Sequence, residues 1–286
     1  MSFRITLDRS VFHGENFNRL ASSSLEKACR SRKIAIYHTP ILIEETLNLW
    51  LKPEKRDGLK EHLCFLITIG NGRIFKDRGE IWSGELEGKS EREYLFLSKT
   101  DQENKITFLN RFAKKEENVE DLVKEVLPIK ANNREKASNL RKIFVGKRNE
   151  TAQSRKLSPN LPKSSLSFES YYDLNCDALG AGVIRSHVKT NRSPEELIQK
   201  WTRDKSRYPY FTLWIKAFLY ANFYARYNSN DPIDWNTQMD ISLIVMAKNL
   251  DAVISNDLAF MKSAFDALYG TGKEYLTLED FLKRLS

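Results

Sequence analysis

The chain has 286 residues, enough for one large domain or two ordinary ones, and 41% hydrophobic content is sufficient for a real core. Forty-six Lys and Arg against 38 Asp and Glu leave a formal charge of +8, which points to a polyanionic partner such as nucleic acid. Cys29, Cys64 and Cys176 form no CxxC pair, so no zinc framework is offered; no run of about 18 apolar residues exists either, and a reduced, cytoplasmic chain with no membrane partner is expected.

Alternation of apolar and polar residues predicts a first strand over Phe3–Leu7 that stops at Asp8. A helix is expected from about Asn16 to Ser31, followed by a short apolar strand over Ile34–Tyr37. Thr39 then offers a cap and Pro40 a first helical residue, because the N–H that proline lacks has no partner at that position. This helix carries Ile43, Leu47, Trp50 and Leu51 on one face, with Glu44 and Glu45 beside it.

From Gly70 onwards, glycines at 70, 72, 79, 84 and 88 punctuate a polar region, and a charged helical stretch is expected near Asn118–Val126. Between Lys130 and Lys163 ten Lys and Arg stand against two acidic residues. The expected organisation is therefore a discontinuous α/β domain, residues 1–70 and 190–286, interrupted by a basic, mostly helical and partly flexible insertion over 71–189. Phosphate neutralisation is the role such a basic segment serves best.

Helical pattern returns at Ser193-Pro194-Glu195-Glu196, with Ser as cap and Pro in the first turn. Next comes an aromatic helix of about 210–227; the spacing of Phe211, Trp214, Phe218 and Tyr220 marks them as core rather than a base-stacking platform. A turn at Asn228–Pro232 and a helix over Asn236–Asn249 lead into a buried strand, Ala252–Ser255, that stops at Asn256-Asp257. Gly270-Thr271-Gly272-Lys273 lacks the full phosphate-loop pattern and reads as a turn before a short strand at Tyr275-Leu276. Thr277, with Asp280 three residues on, starts the last helix. Strands alternating with helices at both ends predict a parallel sheet.

Open parallel sheets place their sites outside the carboxyl ends of the strands. Asp8 and Asp257 follow two strands, Glu45 rides on the helix after a third, and Asp240 lies early in the helix leading to the Val253 strand. Four carboxylates gathered at one edge repel one another unless a cation joins them. Mg²⁺ or Mn²⁺ fits such oxygen ligands, and a metal-bound water then needs no Ser, Cys or His nucleophile.

Ile5-Thr6-Leu7-Asp8, Thr39-Pro40-Ile41-Leu42-Ile43-Glu44-Glu45 and Asp240 with Ala252-Val253-Ile254-Ser255-Asn256-Asp257, then Phe260, resemble the acidic signature of PIN-domain ribonucleases. The resemblance covers residues 1–70 and 230–286. It implies a PIN-like parallel sheet flanked by helices, with Asp8, Glu45, Asp240 and Asp257 as metal ligands or as orienters of the hydrolytic water, and Ser255 as their support. Glu44 stands as an alternative to Glu45, and Asp234 to Asp240. The implied activity is divalent-metal-dependent endoribonuclease, with RNA as partner and DNA as an alternative target. A non-catalytic nucleic-acid-binding or protein-interaction module of the same fold, and a homo-oligomer, are the other arrangements the pattern allows. His13 and His38 lie close enough in sequence to the proposed edge to touch phosphate, although structural histidines are commoner.

Overall fold

The computed structural model describes residues 2–51, 55–70, 73–114, 167–227 and 235–286. Four parallel strands form one sheet in the order β2-β1-β3-β4: β1 is Phe3–Leu7, β2 Ile34–Ile36, β3 Ala252–Ile254 and β4 Glu274–Leu276. Ile5 is opposite Ile36 on one side and Ala252 on the other, and Leu7 is opposite Ile254. β3 pairs with β4 from Ala252–Glu274 to Ile254–Leu276.

Helices cover both faces of this sheet, which is why its central strands read as nearly continuous apolar runs. Ile5, Leu7, Ile36, Ala252 and Ile254 face a core completed by Phe12, Leu20, Leu25, Leu66, Leu278 and Phe281. Val253 points the other way, into a larger core that holds Trp82, Trp201, Phe211, Trp214, Met261 and Phe265. Each such side chain contributes about 1.5–3 kcal/mol by leaving water. Ile43 joins Leu59, Leu63, Ile74, Leu109 and Phe112 in a third cluster.

The expected helix over 16–31 is instead two, Glu15–Ala21 and Leu25–Arg30, preceded by a 3-10 turn over Arg9–Phe12. Ser22 Oγ bonds back to Asn18 O at 2.8 Å and Ser23 Oγ to Leu20 O at 2.6 Å. These serine bonds compete with the helical ladder and end it. The other starts agree with their caps. Thr39 accepts from Leu42 N, Ser193 from Glu196 N and Thr277 from Asp280 N. The helix from Pro40 closes at Leu47 and continues as a 3-10 turn over Asn48–Leu51.

Described parts of the region expected as an insertion share a core with the rest of the chain. Residues 73–114 and 168–187 carry the helices Arg78–Glu87, Glu91–Leu95, Lys99–Lys114 and Phe168–His187. Phe75, Ile81, Trp82, Leu95, Tyr171 and Ile184 lie in the same core as the Pro209–Tyr227 helix. Two of the glycines read as loop punctuation serve packing and capping instead. A Cβ on Gly84 would sit 2.5 Å from Tyr94 Cβ, and Gly88, at φ 82°, ends its helix in the left-handed region that glycine tolerates. The stretch 118–126, the basic run 130–163, the turn 228–232 and Asp234 fall outside the described residues. Among the described residues no helix is long and apolar enough to cross a membrane.

Glu85 links two of these helices. Only 3% exposed, it accepts from Tyr210 N at 2.9 Å, Phe211 N at 2.7 Å and the Tyr94 hydroxyl at 3.2 Å, so it caps the Pro209–Tyr227 helix from a neighbouring element. Burial outweighs these bonds and pushes its carboxyl up to about 7. A second tight contact lies at Gly180, where a Cβ would come 2.0 Å from Cη2 of the fully buried Trp201.

Two outcomes are expected. Because Glu85 holds its proton more tightly folded than unfolded, folding takes up a proton between about pH 4.5 and about 7. Wild type therefore loses up to about 3 kcal/mol relative to Glu85→Gln as the pH rises through that window. Urea denaturation of both proteins across this range measures the difference, and parallel profiles would refute the buried titration. Gly180→Ala costs about 1–3 kcal/mol by overpacking. Gly182→Ala, with no atom within 4 Å of its added Cβ, is neutral or slightly stabilising by the same assay.

Candidate functional site

From β1 the chain moves to β2 on one side and later crosses to β3 on the other, so the order reverses between β1 and β3. In an open parallel sheet the crevice beyond the carboxyl ends at such a switch point is where ligands bind. Asp8 and Asp257 both lie there.

Asp8 is the first residue past β1, and its N–H donates to Ile254 O at 2.9 Å, which fixes it against the end of β3. Its side chain caps the 3-10 turn Arg9–Phe12, a geometry that an Asp with a Ser two residues on readily adopts. Three donors converge on Oδ2: Ser10 N at 3.2 Å, Ser10 Oγ at 2.5 Å and Ser255 Oγ at 2.8 Å. Oδ1 is the oxygen left for a further ligand.

Ser255 is fully buried and serves both carboxylate-bearing segments. It donates to Asp8 and accepts from Asp257 N at 3.1 Å. Ser10 Oγ, in turn, accepts from Asn256 N at 2.9 Å. Asp257 is half-buried, and its Oδ1 accepts from Ala259 N at 2.9 Å in a turn closed by its own side chain. The Asn256 side-chain oxygen takes Leu278 N at 3.0 Å, tying the β3 exit to the last helix.

Glu45 faces this centre. Its carboxyl is pushed up to about 7, first by burial and then by the charge of Asp8, with Arg9 opposing and Glu44 adding to the shift. Glu44 leans elsewhere, into a cavity of about 260 Å³ that it lines with Ile41, Asp77, Arg78 and Met239. Of the two glutamates, Glu45 is the one whose charge is coupled to Asp8. Asp240, half-buried on the Trp235–Met246 helix, acts with Asp257 and Asp8 on the Tyr275 hydroxyl, which burial and these three charges hold above its ordinary range. That hydroxyl donates to Asp257 O at 2.5 Å.

The side chains that composition and strand ends did not reveal are Arg9, Ser10, His62 and Tyr275. Arg9 is half-buried beside Asp8 and Glu45; burial lowers its pKa and both carboxylates raise it. Its Nη1 reaches His62 Nδ1 at 3.4 Å. Burial and the charge of Arg9 depress His62 to about 4, so at neutral pH its ring is uncharged and Nδ1 accepts that bond. Arg9 is thus a counter-charge built into the acidic edge. Only Ser10 carried a readable signal, the Asp-x-Ser spacing of a side-chain turn.

His38 is structural. It is buried, its Nε2 lies 2.9 Å from Leu66 O, and burial lowers its pKa.

Asp8, Ser255 and Asp257 are joined by hydrogen bonds, the charge of Asp8 acts on Glu45, and Asp240 is related to the group only by the weak effect of its charge on the Tyr275 hydroxyl. Among the described residues no group of three or more His, Cys, Asp and Glu side chains is close enough to hold a metal ion by itself. The donors present are hard oxygens, which suit Mg²⁺ or Mn²⁺. Comparison with known proteins adds nothing to this picture: no family model, curated protein or solved structure matches the chain.

Proposed function

We propose that the protein is a divalent-metal-dependent nuclease of PIN-like type that hydrolyses phosphodiester bonds in RNA at the crevice between β1 and β3. The observation that carries this reading is the placement of Asp8 and Asp257 at the switch point, joined through Ser255, with Glu45 electrostatically coupled to Asp8. Mg²⁺ is commonly held by one or two carboxylates together with substrate phosphates, so a pair of aspartates completed by water and substrate is a sufficient site. The ion, once bound, supplies charge neutralisation at phosphorus and lowers the pKa of water.

The chain's own residues do the positioning. Ser10 and Ser255 fix Oδ2 of Asp8 and leave Oδ1 for the ion. Asp257 is held in its turn, and Glu45 and Asp240 add ligands or orient the attacking water. Arg9 offers a cation to a phosphate oxygen. Water adds to phosphorus, the bond to the leaving ribose oxygen breaks, and that oxygen takes up a proton, which yields a phosphate monoester and a free hydroxyl.

The second reading is a non-catalytic module that keeps this fold. The feature in its favour is that Asp8 already has three donors and a neighbouring guanidinium, so its charge is balanced without a metal.

Cleavage of end-labelled single-stranded RNA in Mn²⁺ or Mg²⁺ separates the two. Chelation should abolish cutting, Asp8→Asn and Asp257→Asn should each reduce it at least about 100-fold, and Ser255→Ala about 10–100-fold through the aspartate it supports. Equal residual cutting by wild type and both Asn variants, or no Mn²⁺ binding by calorimetry, would establish the non-catalytic module instead.

A further inference from the structure

A groove of about 560 Å³ lies beyond β2, away from the carboxylates. Its floor is apolar, made by Phe96, Leu97 and Ile106, and its rim is cationic. Arg73 holds its guanidinium 5.3 Å from the centre of the Phe96 ring, giving a flat aromatic surface with a planar cation against it. Lys76, Arg92 and Lys99 stand around this pair.

The acidic residues of the rim do not cancel this charge. Glu93 is engaged by Ser90, through N at 3.0 Å and Oγ at 2.5 Å, and Glu103 is 3.9 Å from Lys99. Neither Arg73 nor Arg92 has an acidic partner among the described residues. Four cations against two carboxylates leave the groove at +2. Lys76 is steadied at the rim by donating to Glu93 O at 2.9 Å.

Aromatic rings connect the groove to the carboxyl end of β2. The Phe96 ring packs 4.9 Å from Phe75 and 5.7 Å from Tyr37. Tyr37 is the first residue past β2, and its N–H donates to Ile5 O of β1 at 2.8 Å. His38 bridges to Ile74 and Phe75 to Phe96, so the floor is linked to the carboxyl end of β2 and lies about three strand spacings, roughly 14 Å, from β1.

We propose that this groove binds single-stranded nucleic acid, with a base laid on Phe96 beside Arg73 and backbone phosphates against Lys76, Arg92 and Lys99. An acidic peptide would use the rim but leave the aromatic floor unemployed, whereas a nucleotide matches both: every base has a π-face, and every linkage has a charge. The inference extends the nuclease reading by naming how substrate is held, and it rests on that reading only for the link to cleavage. Binding is measured with the chemistry switched off.

The experiment uses the whole chain in EDTA and a fluorescein-labelled single-stranded RNA of about 12 nucleotides, with a DNA strand of matching sequence as a second arm, read by anisotropy over a salt series. Phe96→Leu, which keeps an apolar filler against Phe75, should weaken binding about 5- to 50-fold. Arg92→Ala combined with Lys99→Ala, both exposed, should weaken it and reduce the logarithmic salt slope by about 1.4. Lys248→Ala, in a separate cavity lined by Arg4 and Lys273, should leave affinity within about twofold. Tight binding to either strand, lost in this pattern, supports the groove.

Wild-type affinity in Phe96→Leu and in the Arg92/Lys99 double variant overturns it. So does an equal loss in Lys248→Ala, or displacement of RNA by polyglutamate as effectively as by unlabelled RNA. Groove-dependent binding without Mn²⁺-dependent cutting removes the nuclease reading alone. Cutting that is indifferent to Phe96 and Arg92 removes the groove alone.

Discussion

The pairing of β1 with β3 is the constraint on which the rest depends. It joins residues some 247 positions apart, from Ile5 opposite Ala252 to Leu7 opposite Ile254. Asp8 N then extends the ladder by one bond to Ile254 O. From Ile5 to Leu7 and from Ala252 to Ile254 the two strands are buried, so the register cannot slip by one residue without turning Ile5, Leu7, Ala252 and Ile254 out of their core. With the register fixed, the side chains of Asp8 and Ser255 must meet. The candidate site follows from strand alignment more than from any local motif.

Much of the frame was readable from residues alone, because the signals were local. Strand ends at Asp8 and Asp257 and helix starts at Thr39, Ser193 and Thr277 each rest on a side chain that bonds a backbone group two or three residues away. The aromatic period of the Pro209–Tyr227 helix likewise reports one buried face. The break between Ala21 and Leu25 was hidden because serine is tolerated in helices and the bonds that stop this one are visible only in coordinates. The packing of residues 73–114 was hidden for a different reason. Its glycines look like loop punctuation, yet Gly84 makes room for Tyr94, a contact no periodicity encodes.

The site divides in the same way. Asp8, Ser255 and Asp257 were legible as strand ends, and the structure joins them. Glu44 and Glu45 are adjacent on one helix, about 100° apart around its axis, so they meet different neighbours: Glu45 is coupled to Asp8, and Glu44 lines a cavity with Asp77 and Arg78. Arg9 and His62 could not be paired in sequence, being 53 residues apart and joined by one bond inside an aromatic pocket where Phe17 lies 4.0 Å from the histidine ring. Glu85 is the clearest case of this kind. On its own helix it reads as a surface glutamate, and only the arrival of Tyr210 and Phe211 makes it a buried cap.

The distance along the chain between β1 and β3 also has a consequence for synthesis. Asp8 leaves the ribosome 247 residues before Ser255, and throughout that interval the first strand has β2 as its only strand neighbour among those of the sheet. The nascent polypeptide therefore emerges with its acidic edge unassembled. Closure of the crevice waits for the Val253 strand, and a message cut short before it yields a chain in which that edge never forms.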